Sequence, residues 1–286
     1  MAFNWQTFRT RALTAVVFVL VMAMGLLWSR LSFFLLFSLV HFGAWAEYQK
    51  LVTRFNPDYG AVSTFHRYGV AIGGWCLLLF FTNSQLQLGG SALSTFGWWL
   101  GCAFLILLPL AEAINRKNFL IKNLGYSLVG LLYISLSLGL LMDLRNPGED
   151  EQKGYSLTIP LLIIFSIWIN DTMAYIVGSL IGKTPLSAIS PKKTWEGTIG
   201  GALLAIGVMC IITYSTNWFP VGHTAAIAAI AAIAGTYGDL FESKLKRMAG
   251  LKDSGSFMPG HGGFLDRFDS LLFAATAVWI YVRLFL

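Results

Sequence analysis

The chain is poor in charge. Only 12% of its 286 residues are Asp, Glu, Lys or Arg, against about 25% in soluble domains. Hydrophobic residues make up 56%, and the mean hydropathy is +0.66. This excludes a soluble globular protein and leaves an all-α, polytopic integral membrane protein. Cysteine is scarce as well. Cys76, Cys102 and Cys210 each sit in an apolar stretch, with no CxxC and no metal-ligand spacing, which excludes a disulfide framework and a thiolate metal centre. A solenoid repeat, a low-complexity tract, a Walker A loop and any Ser-His-Asp or Cys-His arrangement are also absent. No basic–aromatic reading surface accompanies the net charge of +6, so nucleic acid is not an expected partner.

Long apolar runs fill the space that charge leaves. A helix needs roughly 20 apolar residues to cross a bilayer. Nine candidate spans follow: 12–28, 31–46, 68–82, 96–111, 124–142, 157–181, 198–219, 225–241 and 268–286. The first follows Arg9 and Arg11 and resembles a signal peptide, but Trp28 and Arg30 lead directly into another apolar run, so an uncleaved span is expected. The third is short enough to require little tilt or local thinning of the bilayer. With nine spans, sixteen of the twenty Lys and Arg fall on one side, and the opposite loops are neutral or net acidic. The positive-inside rule then places the N-terminus and the basic loops in the cytoplasm, and a multi-pass protein of the plasma (inner) membrane is expected. Residues 1–123 read as N-terminal transmembrane helices. Residues 124–286 read as a catalytic region with cytoplasmic loops 182–197 and 242–267, within one integrated membrane domain.

Against this background one segment stands out. From Ser243 to Asp269 the chain carries five basic residues, three carboxylates, a histidine and five glycines. Asp266 and Asp269, at i and i+3, share a face of a helix that starts near Leu265 and lie in its first turn, where the helix dipole favours negative charge. Such a pair is a half-site for Mg²⁺, which takes oxygen ligands. Helix capping plus an ion pair to Arg267 is the structural alternative.

Asp239 follows an almost wholly apolar run and lies at the membrane edge. A carboxylate at the centre of a span costs roughly 2.5–3.5 kcal/mol, and less near the interface. Gly235 and Gly238 allow close backbone approach beside it, and Glu242 is either a further ligand or surface. Asp171, within 157–181, is expected to be buried, and so to pair with a Lys or Arg or to line the same cavity. Thr172, Tyr175, Gly178 and Gly182 follow it at helical spacing, suited to lining or packing. In the loop Ser187–Gly201, Ser190, Lys192, Lys193 and Thr194 supply cations and hydroxyls beside a helix N-terminus, a natural phosphate seat. Lys252, His261, Gly262, Gly263 and Arg267 complete the anion-binding candidates. His261 either contacts phosphate or braces its turn; His41, His66 and His223 are isolated and read as structural or surface residues. Together these groups are the inventory of metal-assisted phosphoryl or nucleotidyl transfer.

The order of residues in Ser243–Asp269 resembles the characteristic motif of the phosphatidate cytidylyltransferase (CDP-diacylglycerol synthase) family, bacterial type. Ser243, Lys246, Arg247, Lys252, Asp253, Pro259, His261, Gly262, Gly263, Asp266, Arg267 and Asp269 meet it, and Met258 departs from it conservatively. The segments Asn170–Tyr175 and Ser190–Gly197 are also similar to that family. The resemblance implies Mg²⁺-dependent transfer of the cytidylyl group of CTP to phosphatidate, in membrane lipid, and a homodimer. Catalytic roles would fall to Asp239, Asp266, Asp269 and Asp171, with Asp239, Asp266 and Asp269 holding the metal. An ion-coupled transporter would instead need midplane carboxylates and duplicated broken helices. A CDP-alcohol phosphotransferase would need a longer aspartate ladder than this chain has.

Overall fold

The computed structural model describes residues 5–115, 121–146, 157–255, 257 and 262–286. They are almost entirely helical: α1 (Trp5–Leu27), α2 (Arg30–Phe55), α3 (Pro57–Gly60), α4 (Thr64–Phe80), α5 (Leu93–Asn115), α6 (Ile121–Gly130), α7 (Ser137–Leu144), α8 (Thr158–Ile181), α9 (Trp195–Thr216), α10 (Val221–Met248) and α11 (Leu265–Phe285). Among the described residues the only paired strands are β1 (Gln87–Leu88) and β2 (Ser91–Ala92), joined through Gly89 and Gly90. Both glycines have positive φ, +58° and +83°, which a two-residue hairpin turn of this hand requires.

Each of the nine expected spans falls on a helix, with α6 and α7 forming one continuous span through a π-helical turn (Leu131–Leu136). Among the described residues, seven helices are long and apolar enough to cross a membrane. The described apolar part of α1, Leu13–Leu27, and the 17-residue α4 are shorter. An all-α polytopic membrane protein is therefore the fold. Helices are the expected answer, because only they satisfy every backbone group within one lipid-exposed segment. Two ends differ from expectation. Helix α10 continues to Met248, carrying Glu242 and Lys246 on helix rather than loop. Asp143, just beyond the expected span 124–142, is still helical and is buried at the end of α7, where it accepts a bond from Asn83 Nδ2 at 3.2 Å.

The chain forms two compact units, Met1–Asp143 with Met248–Phe268, and Leu144–Arg247 with Asp269–Leu286. The core of the first is α2. Ser29 starts this helix with a reciprocal cap, accepting from Ser32 N at 3.0 Å and donating its own N–H to Ser32 Oγ at 2.9 Å. Its buried residues Phe33, Phe37, Val40, Ala44, Tyr48 and Leu51 recur every three or four positions. The opposite face, Leu31, Leu35, Leu39 and Phe42, is equally apolar but exposed, as expected of a helix whose outer solvent is lipid. The π-helical turn is tied to α2, because Ser135 Oγ accepts from Trp45 Nε1 and bonds His41 Nε2, each at 2.9 Å. Ser127 similarly holds His66 Nε2 at 2.7 Å, so these two histidines are structural.

In the second unit α8 and α9 pack on glycine. A Cβ at Gly201 would stand 2.8 Å from Ala174 N and from Asn170 O, and one at Gly197 would stand 2.7 Å from Ala174 O. Such small-residue seams let membrane helices approach closely. Gly235 and Gly238 do the same for α10 against α11, where a Cβ at Gly238 would meet the carbonyl oxygen of Asp269. His223 Nδ1 bonds Tyr281 Oη at 2.8 Å, the third structural histidine.

Candidate active site

Two constellations hold most of the residues singled out by sequence, one in each unit. In the second unit, Asp239 and Glu242 project from α10 toward Asp269 of α11. Asp269 is buried, and its Oδ1 accepts from the N–H of Ser270 at 2.6 Å. Glu242 is fully buried and ion-paired with Lys246, four residues on, so it belongs to the cluster and not to the surface. Asp239 is ion-paired with Lys193. Three carboxylates so close repel one another, and the two ammonium groups offset that charge.

Lys193 is presented by a folded loop. Leu186 N donates to Lys193 O at 2.8 Å, Trp195 N to Thr184 O at 2.9 Å and Lys193 N to Ser190 O at 3.1 Å. Thr194 caps α9, its Oγ1 accepting from Gly197 N at 3.2 Å. Glu196 accepts from Thr184 Oγ1 at 2.8 Å and from the amides of Lys183 and Thr184 at 3.2 Å each. The threonines and glutamate that accompany the lysines thus shape the loop that aims Lys193. Lys192 is exposed.

In the first unit the motif loop surrounds Asp266. Its Oδ2 accepts from Gly263 N at 2.8 Å, Ser254 N at 2.9 Å and Ser254 Oγ at 2.9 Å. Gly262, at φ +86°, carries the chain through the turn against this carboxylate. Arg267 and Lys252 are exposed. Among the described residues, Arg267 is the only charged one lining an apolar cavity of about 370 Å³ between α1, α2 and the motif, whose walls include Leu13, Val17, Phe18, Leu36 and Phe264. His261, with Met258 and Pro259, lies outside the described residues.

Asp171 does not sit as expected. It is exposed on α8, while its neighbour Asn170 is buried and donates Nδ2 to Asp171 Oδ1 at 3.3 Å. The α8–α9 seam occupies the Asn170, Ala174 and Gly178 face, which turns Asp171 outward. Sequence reading missed Glu47 and Ser254. Glu47 Oε2 accepts from Ser254 Oγ at 2.6 Å, although the two residues are 207 positions apart. A carboxylate close to the end of an apolar span was the available signal.

Among the described residues no three of His, Cys, Asp and Glu stand arranged to hold a metal ion. The donor chemistry of the second unit nevertheless suits one. Asp239, Glu242 and Asp269 offer only hard carboxylate oxygens, and lysines hold the positive charge such a cluster needs.

A model of the family described as "Cytidylyltransferase family" matches residues 9–285. The chain is 36% identical over 185 residues to the phosphatidate cytidylyltransferase of Bacillus subtilis, covering 64% of this chain and 67% of that one. It is 34% identical over 218 residues to the Brucella abortus protein of the same name, covering 74% and 73%. Phosphatidate cytidylyltransferase 5, chloroplastic, of Arabidopsis thaliana is 35% identical over 197 residues, and the match spans 62% of this chain and 49% of that relative, about half its length. On a match running nearly end to end, this chain belongs to the cytidylyltransferase family.

Proposed function

We propose that this protein transfers the cytidylyl group of CTP to phosphatidate, forming CDP-diacylglycerol and releasing pyrophosphate. The observation that carries the proposal is the cluster of Asp239, Glu242 and Asp269 with Lys193 and Lys246, in a member of the cytidylyltransferase family.

In the reaction a phosphate oxygen of the lipid attacks the α-phosphorus of CTP. One P–O bond forms, the bond between α- and β-phosphates breaks, and pyrophosphate leaves with the electron pair. The second pKa of a phosphomonoester is about 6, so the nucleophile is already ionised and needs no strong general base. The obstacle is electrostatic: two polyanions must meet. Lys193, with Lys192 in the same loop, supplies cations for the triphosphate and the leaving pyrophosphate. Mg²⁺, when bound, supplies neutralising charge and polarises the α-phosphate. Asp239 and Asp269 are the residues we assign to it, with Asp266, three positions earlier on the same helix, as the third carboxylate of that set. Arg267 suits the phosphate of the lipid, and the apolar cavity beside it suits an acyl chain. Lipid then arrives sideways from the bilayer.

The remainder of the proposal is a site facing the cytoplasm in the inner membrane, supported by the bias of basic loops, and a homodimer, carried from the family resemblance. Purified Asp239→Asn and Asp266→Asn variants, assayed for CTP-dependent CDP-diacylglycerol formation over a Mg²⁺ series, should each lose activity by orders of magnitude. Near-wild-type turnover in both would refute the metal assignment.

A further inference from the structure

The first half of the chain holds a carboxylate with a specific duty. Glu47, on α2 and only 9% exposed, is enclosed by the motif loop. Its Oε1 accepts from the N–H of Phe264 at 2.9 Å, and its Oε2 accepts from the N–H of Leu265 at 2.9 Å and from Ser254 Oγ at 2.6 Å. The two amides open α11, where backbone donors have no partner within the helix and negative charge is favoured. A helix start of this kind is usually capped by a neighbour in sequence; here the cap comes from 217 and 218 positions away.

Two further observations show that the loop is built around this carboxylate. A Cβ at Gly255 or at Gly263 would collide with the Glu47 carboxylate, so a side chain at either position would push it off its donors. One helical turn earlier on α2, a Cβ at Gly43 would collide with the ring of Phe264, so α2 is also cut away to receive the loop. Ser254 completes the link. Its hydroxyl lies between Glu47 Oε2 at 2.6 Å and Asp266 Oδ2 at 2.9 Å, and its single proton serves one of them at a time. Asp266 is therefore held from two directions: through Ser254, and through the start of α11, which Glu47 fixes.

We propose that Glu47 is a positioning residue for cytidylyl transfer: it caps α11 and, through Ser254, sets the placement of Asp266 and of the motif loop. The proposal rests on the transfer reaction assigned above. Its physical part, the clamp, can be read independently of turnover.

The test uses the full chain in detergent micelles with Glu47→Gln. This substitution keeps the shape but puts an amide NH₂ where at least one donor now finds an acceptor. Hydrogen exchange by mass spectrometry should show faster exchange in the peptide 254–265, and unchanged exchange in peptides from α8 and α9. The kcat should fall roughly 10–100-fold, as for other residues that orient a reacting group's ligands, with KM for CTP little changed. Ser254→Ala, which leaves both backbone bonds of Glu47 intact, should give the same pattern with a smaller fall, and it decides the matter if Glu47→Gln does not fold. Unchanged exchange at 254–265 overturns the clamp. Faster exchange with an unchanged kcat overturns the positioning role, leaving Glu47 structural. A wild-type chain that does not consume CTP defeats the proposed function and the positioning role with it, while the exchange result still decides the clamp.

Discussion

The glycine seam between α8 and α9 allows a prediction in which two substitutions of the same kind, on one helix, act with opposite sign. At Gly201 an added Cβ would stand 2.8 Å from Ala174 Cβ, Ala174 N and Asn170 O. Ordinary contact begins near 3.4 Å, a shortfall of roughly 0.6 Å against two backbone atoms that no rotamer change can move. The helices must separate, and overpacking of this kind costs about 1–3 kcal/mol. At Gly207, two turns along α9, nothing lies within 4 Å of the added Cβ. There Gly→Ala should stabilise by about 0.5–1 kcal/mol through helix propensity and reduced freedom of the unfolded chain. Thermal unfolding of both variants in one detergent reads the difference: Gly201→Ala should melt several degrees lower and Gly207→Ala slightly higher. Gly201→Ala should also slow turnover, because the start of α9 carries the loop that presents Lys193. Equal shifts in the two variants, or no loss at Gly201, would refute close backbone packing as the basis of this seam.

Other consequences can be measured separately. Ser135→Ala removes the acceptor of the buried Trp45 Nε1–H and the partner of His41; at about 1–3 kcal/mol for a buried group left unsatisfied, chemical denaturation should show a loss in that range or above. Lys193→Met should raise KM for CTP about tenfold while costing stability less than about 1 kcal/mol, since its ion pair with Asp239 is partly exposed; a large fall in unfolding midpoint with KM intact would make this lysine structural. Asp171→Asn should leave the thermal midpoint close to wild type, because Asp171 is exposed; a drop of many degrees would contradict its placement.

The spans were legible in the sequence because lipid allows few solutions. An apolar run of the right length becomes a helix whatever its neighbours do, and every expected span fell on one. The candidate carboxylates were legible for the converse reason, since Asp239, Asp266 and Asp269 are costly residues in an apolar chain. What sequence could not show was orientation. In α8 both faces are apolar, so no hydrophobic period marks the buried side, and Asp171 was expected inward when the glycine seam turns it outward. Long-range contact was also hidden: Glu47 lies among Trp45, Tyr48 and Lys50, a pattern that reads as the ordinary aromatic and basic edge of a span. Only folding brings it to Ser254. Thr194 reads in the sequence as part of a phosphate seat, whereas the structure shows it capping α9 while Glu196 braces the same loop through Thr184.

The central claim is the reaction itself. The purified chain, given CTP labelled on its α-phosphate together with phosphatidate and Mg²⁺ in mixed micelles, should move the label into CDP-diacylglycerol with one pyrophosphate released per lipid formed. Label remaining in CTP in the presence of phosphatidate, or consumption of CDP-diacylglycerol with an alcohol in its place, would contradict it.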